Sequence, residues 1–147
     1  MKRNTILAGT AVFVLAFVLG ACGEVPGSVT PYTFRFKVAN NTPNNYAGKS
    51  ISKVEIFNGS NEYSPVLRTI ASASPLGPGN LSVEYQVSGF TAPYQGDRRY
   101  VGARITDSDG YSYFDYYTFG PESKITISLK FDTWDSRYYA FLSTGNW

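Results

Sequence analysis

The chain has 147 residues, with 13 Lys and Arg against 11 Asp and Glu, no histidine, and one cysteine, Cys22. That length is one domain. With no imidazole and a single thiol, Cys/His zinc sites, Cys-His nucleophiles, Ser-His-Asp triads and internal disulfides are excluded.

The chain opens on a short basic stretch, Met1-Lys2-Arg3-Asn4, followed by an apolar run from Ile6 to Leu19. The run is about 14 residues, short of the roughly 20 that cross a bilayer as a helix. Polar, turn-rich Gly23-Glu24-Val25-Pro26-Gly27 follows it. That order of parts is the order of a secretory signal. Leu19-Gly20-Ala21-Cys22 resembles the lipobox of bacterial lipoproteins, an aliphatic residue and two small residues before a cysteine. Gly20 departs from the Ala or Ser more usual at its position.

The resemblance implies that residues 1–21 are a signal peptide and that Leu19, Gly20 and Ala21 are read by the signal peptidase. It implies that Cys22 carries diacylglycerol and that the amino terminus exposed by cleavage is acylated in turn. The partner is then a lipid bilayer, on the extracytoplasmic side of the cell envelope. Gly23, where some Gram-negative lipoproteins carry Asp, points to the outer membrane under their sorting pattern. Two or three acyl chains anchor stably where one does not. The alternative is an ordinary signal peptide in which Cys22 is incidental. Cleavage before Cys22 removes Lys2 and Arg3, the whole basic excess, and leaves 11 charges of each sign. A neutral domain gives no electrostatic reason to expect nucleic acid or an anionic membrane as partner.

Residues 22–31 read as the lipidated Cys and a tether with two prolines, reaching about 30 Å if extended. A single domain, 32–147, follows. Tyr32, Phe34, Phe36 and Val38 alternate with Thr33, Arg35 and Lys37, the pattern of a half-buried strand. Ile51 to Phe57 is a second strand with Val54 and Ile56 inward, and Val66 to Ala71 a weaker third. Leu81, Val83, Tyr85 and Val87 alternate with polar residues as a fourth.

Tyr100 to Phe119 reads as a hairpin. Asp109-Gly110 at its centre is a strong two-residue turn signal. That register sets Ile105 opposite Phe114, Ala103 opposite Tyr116, Arg104 opposite Asp115, and Gly102 opposite Tyr117. Ser123 to Phe131 is the seventh strand, with Ile125, Ile127, Leu129 and Phe131 inward. Arg137 to Leu142 is an eighth strand or an edge cover. Short strands with turns about every ten residues give an all-β fold, an antiparallel β-sandwich of 7–8 strands, immunoglobulin-like in the broad sense.

Asn40-Asn41-Thr42, Val54-x-Ile56, Leu76-x-Pro78-Gly79 and Ile105-x-Asp107-x-Asp109-Gly110-x-x-Tyr113 together resemble small secreted or lipid-anchored bacterial β-sandwich domains of unassigned function. The resemblance spans about 90 residues. It implies the fold and no activity.

Three chemistries are open to the remaining residues. Asp107-Ser108-Asp109-Gly110 looks like the start of a calcium loop, but the hairpin explains it without a metal. The carboxylates Glu84, Asp97, Asp107, Asp109, Asp115, Asp132 and Asp135 include enough acids for a glycosidase pair, and no spacing selects two of them. Tyr100, Tyr113, Tyr117 and Phe119 fall on one face in the register above, a candidate platform for a glycan or a protein. The competing reading covers that face with the tail, Trp134, Tyr138, Tyr139 and Phe141. Asn40, Asn58 and Asn80 each begin an Asn-x-Ser/Thr triplet, idle in a bacterial lipoprotein. The sequence thus points to a non-enzymatic, membrane-anchored domain for binding or envelope structure, with no cofactor. A carbohydrate-binding module and a small carboxylate hydrolase are the alternatives.

Overall fold

The computed structural model describes residues 29–45 and 47–147, so Leu19, Gly20, Ala21 and Cys22 lie outside the described residues. Eight strands form: β1 (Tyr32–Asn41), β2 (Ile51–Phe57), β3 (Val66–Leu76), β4 (Tyr85–Phe90), β5 (Arg99–Asp107), β6 (Ser112–Phe119), β7 (Lys124–Asp132) and β8 (Arg137–Thr144). They make two four-stranded sheets, a first ordered β4-β1-β7-β8 and a second ordered β3-β2-β5-β6. The sheets pack face to face over one core, which is the β-sandwich expected from the alternation. No helix occurs among the described residues. The tail supplies β8 as a full partner of β7. One pair departs from the antiparallel rule: β1 and β7 run parallel.

Period-2 alternation builds the core directly. Phe34 and Phe36 from β1, Val54 and Ile56 from β2, and Ile125, Ile127 and Leu129 from β7 are buried. Near the point where the chain enters β1, the core is aromatic: the Phe34 and Phe90 rings lie 5.0 Å apart and those of Phe36 and Phe90 5.8 Å apart. Large buried rings of this kind each contribute on the order of 3 kcal/mol or more when judged by truncation.

The hairpin between β5 and β6 takes a register one residue away from the expected one. Ile105 faces Tyr113, Arg104 faces Phe114, Ala103 faces Asp115 and Gly102 faces Tyr116. The loop holds three residues, Ser108 to Gly110. The Asp107 amide donates to the Tyr111 carbonyl at 2.9 Å, and the Gly110 amide to the Asp107 carbonyl at 3.2 Å. Gly110 has φ 90° and Asp109 does not share it, so this is a type I turn closed by a left-handed glycine. The Asp107 carboxylate selects it by accepting the Asp109 and Tyr111 amides at 2.9 and 3.0 Å. A one-residue slip turns every side chain of a strand to the other face.

The fourth strand also starts later than its alternation suggests. Leu81 and Val83 are 53% and 71% exposed. Their segment lies along β1, with the Ser82 amide donating to the Val38 carbonyl and the Val38 amide to the Ser82 hydroxyl, both at 2.9 Å. Opposite them β3 swells outward: Lys53 faces Ala71 but Ile51 faces Leu76, leaving residues 72–75 as a bulge. The two sheets therefore gape on this side, around a groove of about 200 Å³ lined by Val38, Ile51, Ile70, Leu76, Val83 and Tyr85. The other side is closed, where the Leu142 amide of β8 donates to the Asp115 carboxylate of β6 at 2.9 Å.

Candidate functional site

The structure does not bring Tyr100, Tyr113, Tyr117 and Phe119 onto one surface. The register shift turns Tyr113, Tyr117 and Phe119 to the inner side of β6, while Tyr100 stays on the outer side of β5. Phe119 is buried in the core. Tyr113 lies under Tyr138, ring centroids 6.1 Å apart, and its hydroxyl donates to Asp107 at 3.0 Å. Tyr117 is exposed at the rim, against Phe119. The tail covers part of this face as the competing reading holds, but through Tyr138 alone of the residues named: Trp134, Tyr139 and Phe141 are exposed.

The same shift assembles a different row. The outer face of the second sheet carries rings in succession, packed edge to face or tilted. Tyr94 and Tyr100 are 5.2 Å apart, Tyr100 and Tyr116 6.1 Å, Tyr116 and Phe114 6.4 Å, and Phe114 and Phe57 5.7 Å. At one end Phe57 is sealed by the loop of residues 58–65. That loop crosses so close that a Cβ on Gly102 would stand 2.8 Å from the Gly59 carbonyl oxygen and 3.0 Å from the Phe114 ring. Glycine at position 102 is what admits the loop. At the other end Tyr94 and Tyr116 are 55% and 49% exposed, enough to offer ring faces to a partner. Arg98 flanks them, held by the Thr118 side chain and carbonyl.

Two hydrogen-bonded clamps fix this row. Arg104, on the same face, lies over Phe57 and pairs with Glu55 at 2.9 Å and with Glu62 of the covering loop at 3.4 Å. Burial works to raise the Glu55 carboxyl, but Arg104 and Lys53 outweigh it and hold it below its ordinary range. Asn58 is the second clamp. Its carboxamide oxygen accepts the Thr91 and Ala92 amides at 2.9 and 2.8 Å, tying the covering loop to the loop that carries Tyr94.

A second polar cluster sits at the hairpin. The Lys49 ammonium lies 2.9 Å from Asp107 and 2.8 Å from Asp109, over the rings of Tyr111 and Tyr138. Lysine nitrogen thus occupies the space between the two carboxylates that resembled a calcium loop. The hydrogen bond to Asp109 raises the Lys49 pKa, burial opposes it, and Asp107 adds to the rise. Burial works to raise the Asp107 carboxyl, yet Lys49, the Tyr113 hydroxyl and the loop amides bring it below its ordinary value. Burial, then the hydrogen bond to Asp107, pushes the Tyr113 hydroxyl up to about 12. All three shifts favour the ionised pair and the neutral phenol, which is the chemistry of a lock rather than of a proton shuttle.

Most of the other acids considered for hydrolysis are engaged in the same way. Glu84 faces Arg35, Asp132 accepts the Trp134 amide, and Asp135 pairs with Arg137. Asn40, first of the Asn-x-Ser/Thr triplets, is fully buried. Its amide nitrogen donates to the Lys49 and Leu76 carbonyls at 2.6 and 2.7 Å, and its oxygen accepts from the Thr42 amide and hydroxyl. Sequence reasoning missed Tyr94, Phe114 and Tyr116 because their grouping depends on the register. It gave Lys49 no role and read Asn40 and Asn58 only as triplets, because Asp107, Leu76 and Thr91, the partners that give these three their roles, lie far away in the chain.

No family model and no curated protein matches the chain. A solved structure described as the NMR structure of the protein from Eubacterium rectale is similar over 84% of this chain and 98% of its own, at 12% identity and a TM-score of 0.44.

Proposed function

We propose that this chain is a lipid-anchored, extracytoplasmic binding domain without catalytic activity. The anchor rests on Leu19-Gly20-Ala21-Cys22 closing a basic and apolar leader. Binding rests on one structural observation, the row Tyr94–Tyr100–Tyr116 on an outer sheet face, with Tyr94 and Tyr116 exposed and the row fixed at its two ends by Arg104 and Asn58. A fixed row of half-exposed rings on a flat sheet offers stacking area at little conformational cost. The engagement of most carboxylates in structural contacts supports the non-catalytic reading over a hydrolase.

A carbohydrate module is the second reading, favoured by the same row and its polar flank of Arg98 and Thr118. Sugars stack on tyrosine faces and need such hydrogen-bonding neighbours. Metabolic labelling with a clickable fatty acid tests the anchor: the wild type takes up label and Cys22→Ser does not. Label on Cys22→Ser, or none on the wild type, removes it. A glycan array tests the row, with Tyr100→Ala and Tyr116→Ala expected to lose whatever the wild type retains. An unchanged profile in both variants would remove the row as the contact surface.

A further inference from the structure

The outer face of the first sheet is built from the outward residues of four strands. β1 presents Thr33, Arg35 and Lys37, and β7 presents Lys124, Thr126, Lys130 and, at its end, Asp132. β4 adds Gln86 and Ser88, and β8 adds Arg137 opposite Asp132, then Tyr139 and Phe141. Arg35 meets Glu84 at a loose 3.7 Å. Lys37, Lys124 and Lys130 make no ion pair with an Asp or Glu side chain among the described residues. Their ammonium groups stand over aromatic rings instead: Lys37 and Lys124 lie 4.6 and 5.3 Å from the Trp147 ring centre, and Lys130 lies 3.7 Å from that of Phe141. Lys124 also donates to the main-chain oxygen of Trp147. Trp147 is tied to the sheet by its indole N–H, which donates to Thr126 at 3.2 Å. Arg35 and Lys124 are direct cross-strand neighbours, a like-charge pair that opposes folding. The neutral sum of charges in residues 22–147 conceals this segregation.

We infer that this face is a docking surface for anionic phospholipid headgroups. Charge complementarity selects an anionic partner. The shape selects a planar one: the cations are spread over about 20 Å along the sheet from Lys124 to Lys130. Lysine ammonium groups beside Trp and Phe rings set cations and aromatic rings at one level, a combination that suits a bilayer interface. Arg35 is three residues from Tyr32, so the basic area begins about 10 Å from the point where the chain enters the domain. An anchor at Cys22 would bring this face within reach of a bilayer, but the attraction itself does not require the anchor.

The chain from Val29 to Trp147 holds both sheets and the whole core cluster, Phe34 to Leu142, and lacks Cys22. It therefore tests the face separately from lipidation. Sedimentation with phosphatidylglycerol/phosphatidylcholine vesicles is expected to show binding at low salt that is absent with phosphatidylcholine alone. Binding should fall about tenfold or more as salt rises from roughly 50 to 300 mM, because screening acts within a Debye length. The triple variant Lys37→Gln/Lys124→Gln/Lys130→Gln should bind on the order of 100-fold more weakly, roughly fivefold per cation. Lys53→Gln/Arg68→Gln, which removes two positive charges elsewhere, should change binding by less than about threefold. A loss per charge as large as in the triple variant, salt-independent binding, or no preference for phosphatidylglycerol would overturn the inference. So would binding to soluble heparin without binding to vesicles, which would assign the face to a polymer.

Discussion

Arg104 on the second sheet's outer face has Glu55 at 2.9 Å and Glu62 at 3.4 Å, and the adjacent Lys53 has Glu55 at 3.4 Å. Lys37, Lys124 and Lys130 on the first sheet's outer face have aromatic rings in place of acidic side chains. One face uses its charges internally, fastening a loop over Phe57 and fixing a row of rings. The other sets three of its cations over aromatic rings, without acidic side chains to neutralise them. Net charge and composition are the same quantities for both, so neither can distinguish a surface that holds itself together from one free to hold something else.

The sharpest way to break that contrast is at the crowded point of the second face. Gly102→Val forces a side chain between the Gly59 carbonyl and Phe114. It should cost about 3 kcal/mol by urea denaturation, with Phe57 becoming accessible. Thr126→Val on the first face should cost less than about 1 kcal/mol, the worth of one exposed hydrogen bond. Similar costs at the two positions would mean that the covering loop is not held as described. Next in size, Arg104→Ala leaves Glu55 with Lys53 alone and uncovers Phe57, and should destabilise by about 2 kcal/mol after allowing for its partial exposure. Lys130→Ala should stay within about 0.5 kcal/mol.

Acid titration separates the faces. Glu55 and Asp107 are both held below their ordinary pKa values in the folded chain. Each therefore contributes stability that is present above the unfolded carboxylate range, about pH 4, and is lost as pH falls through the lower folded value. Glu55→Gln should flatten that acid limb in a melting-temperature series, and Lys37→Gln should leave it in place. In alkali the sign reverses. The raised Lys49 and Tyr113 values give stability complete below about pH 10 and lost above it, and Tyr113→Phe should reduce the loss. The smallest effect expected is a gain: Lys124→Gln relieves Arg35 and should raise stability by a few tenths of a kcal/mol at low salt. A loss there would mean that the cation over Trp147 is worth more to the fold than its repulsion costs.

The strand alternation was legible in the central strands. β2 begins and ends where its residues suggested despite the bulge in β3 beside it, and the inward set of β7 holds through Leu129. Misreadings came where a side chain or an irregular neighbour intervened. Asp107 chose a three-residue loop over a two-residue one by bonding two amides, and that single choice exchanged the faces of β6. The bulge in β3 left Leu81 and Val83 without cover although their pattern is that of buried residues.

The sequence by itself determined the alternating strands, the aromatic core positions, the sandwich class and the exclusion of histidine and thiol chemistry. These follow from local period and from composition, which need no partner to be known. Tertiary structure decided which tyrosines share a surface, which carboxylates are locked by lysine or arginine, and where cations without acidic partners gather. Lys124 meets Arg35, and Lys37 meets Trp147, only because β7 lies parallel to β1 and the segment after β8 folds back beside it. Such pairings join residues separated by most of the chain, and no local rule of spacing encodes them.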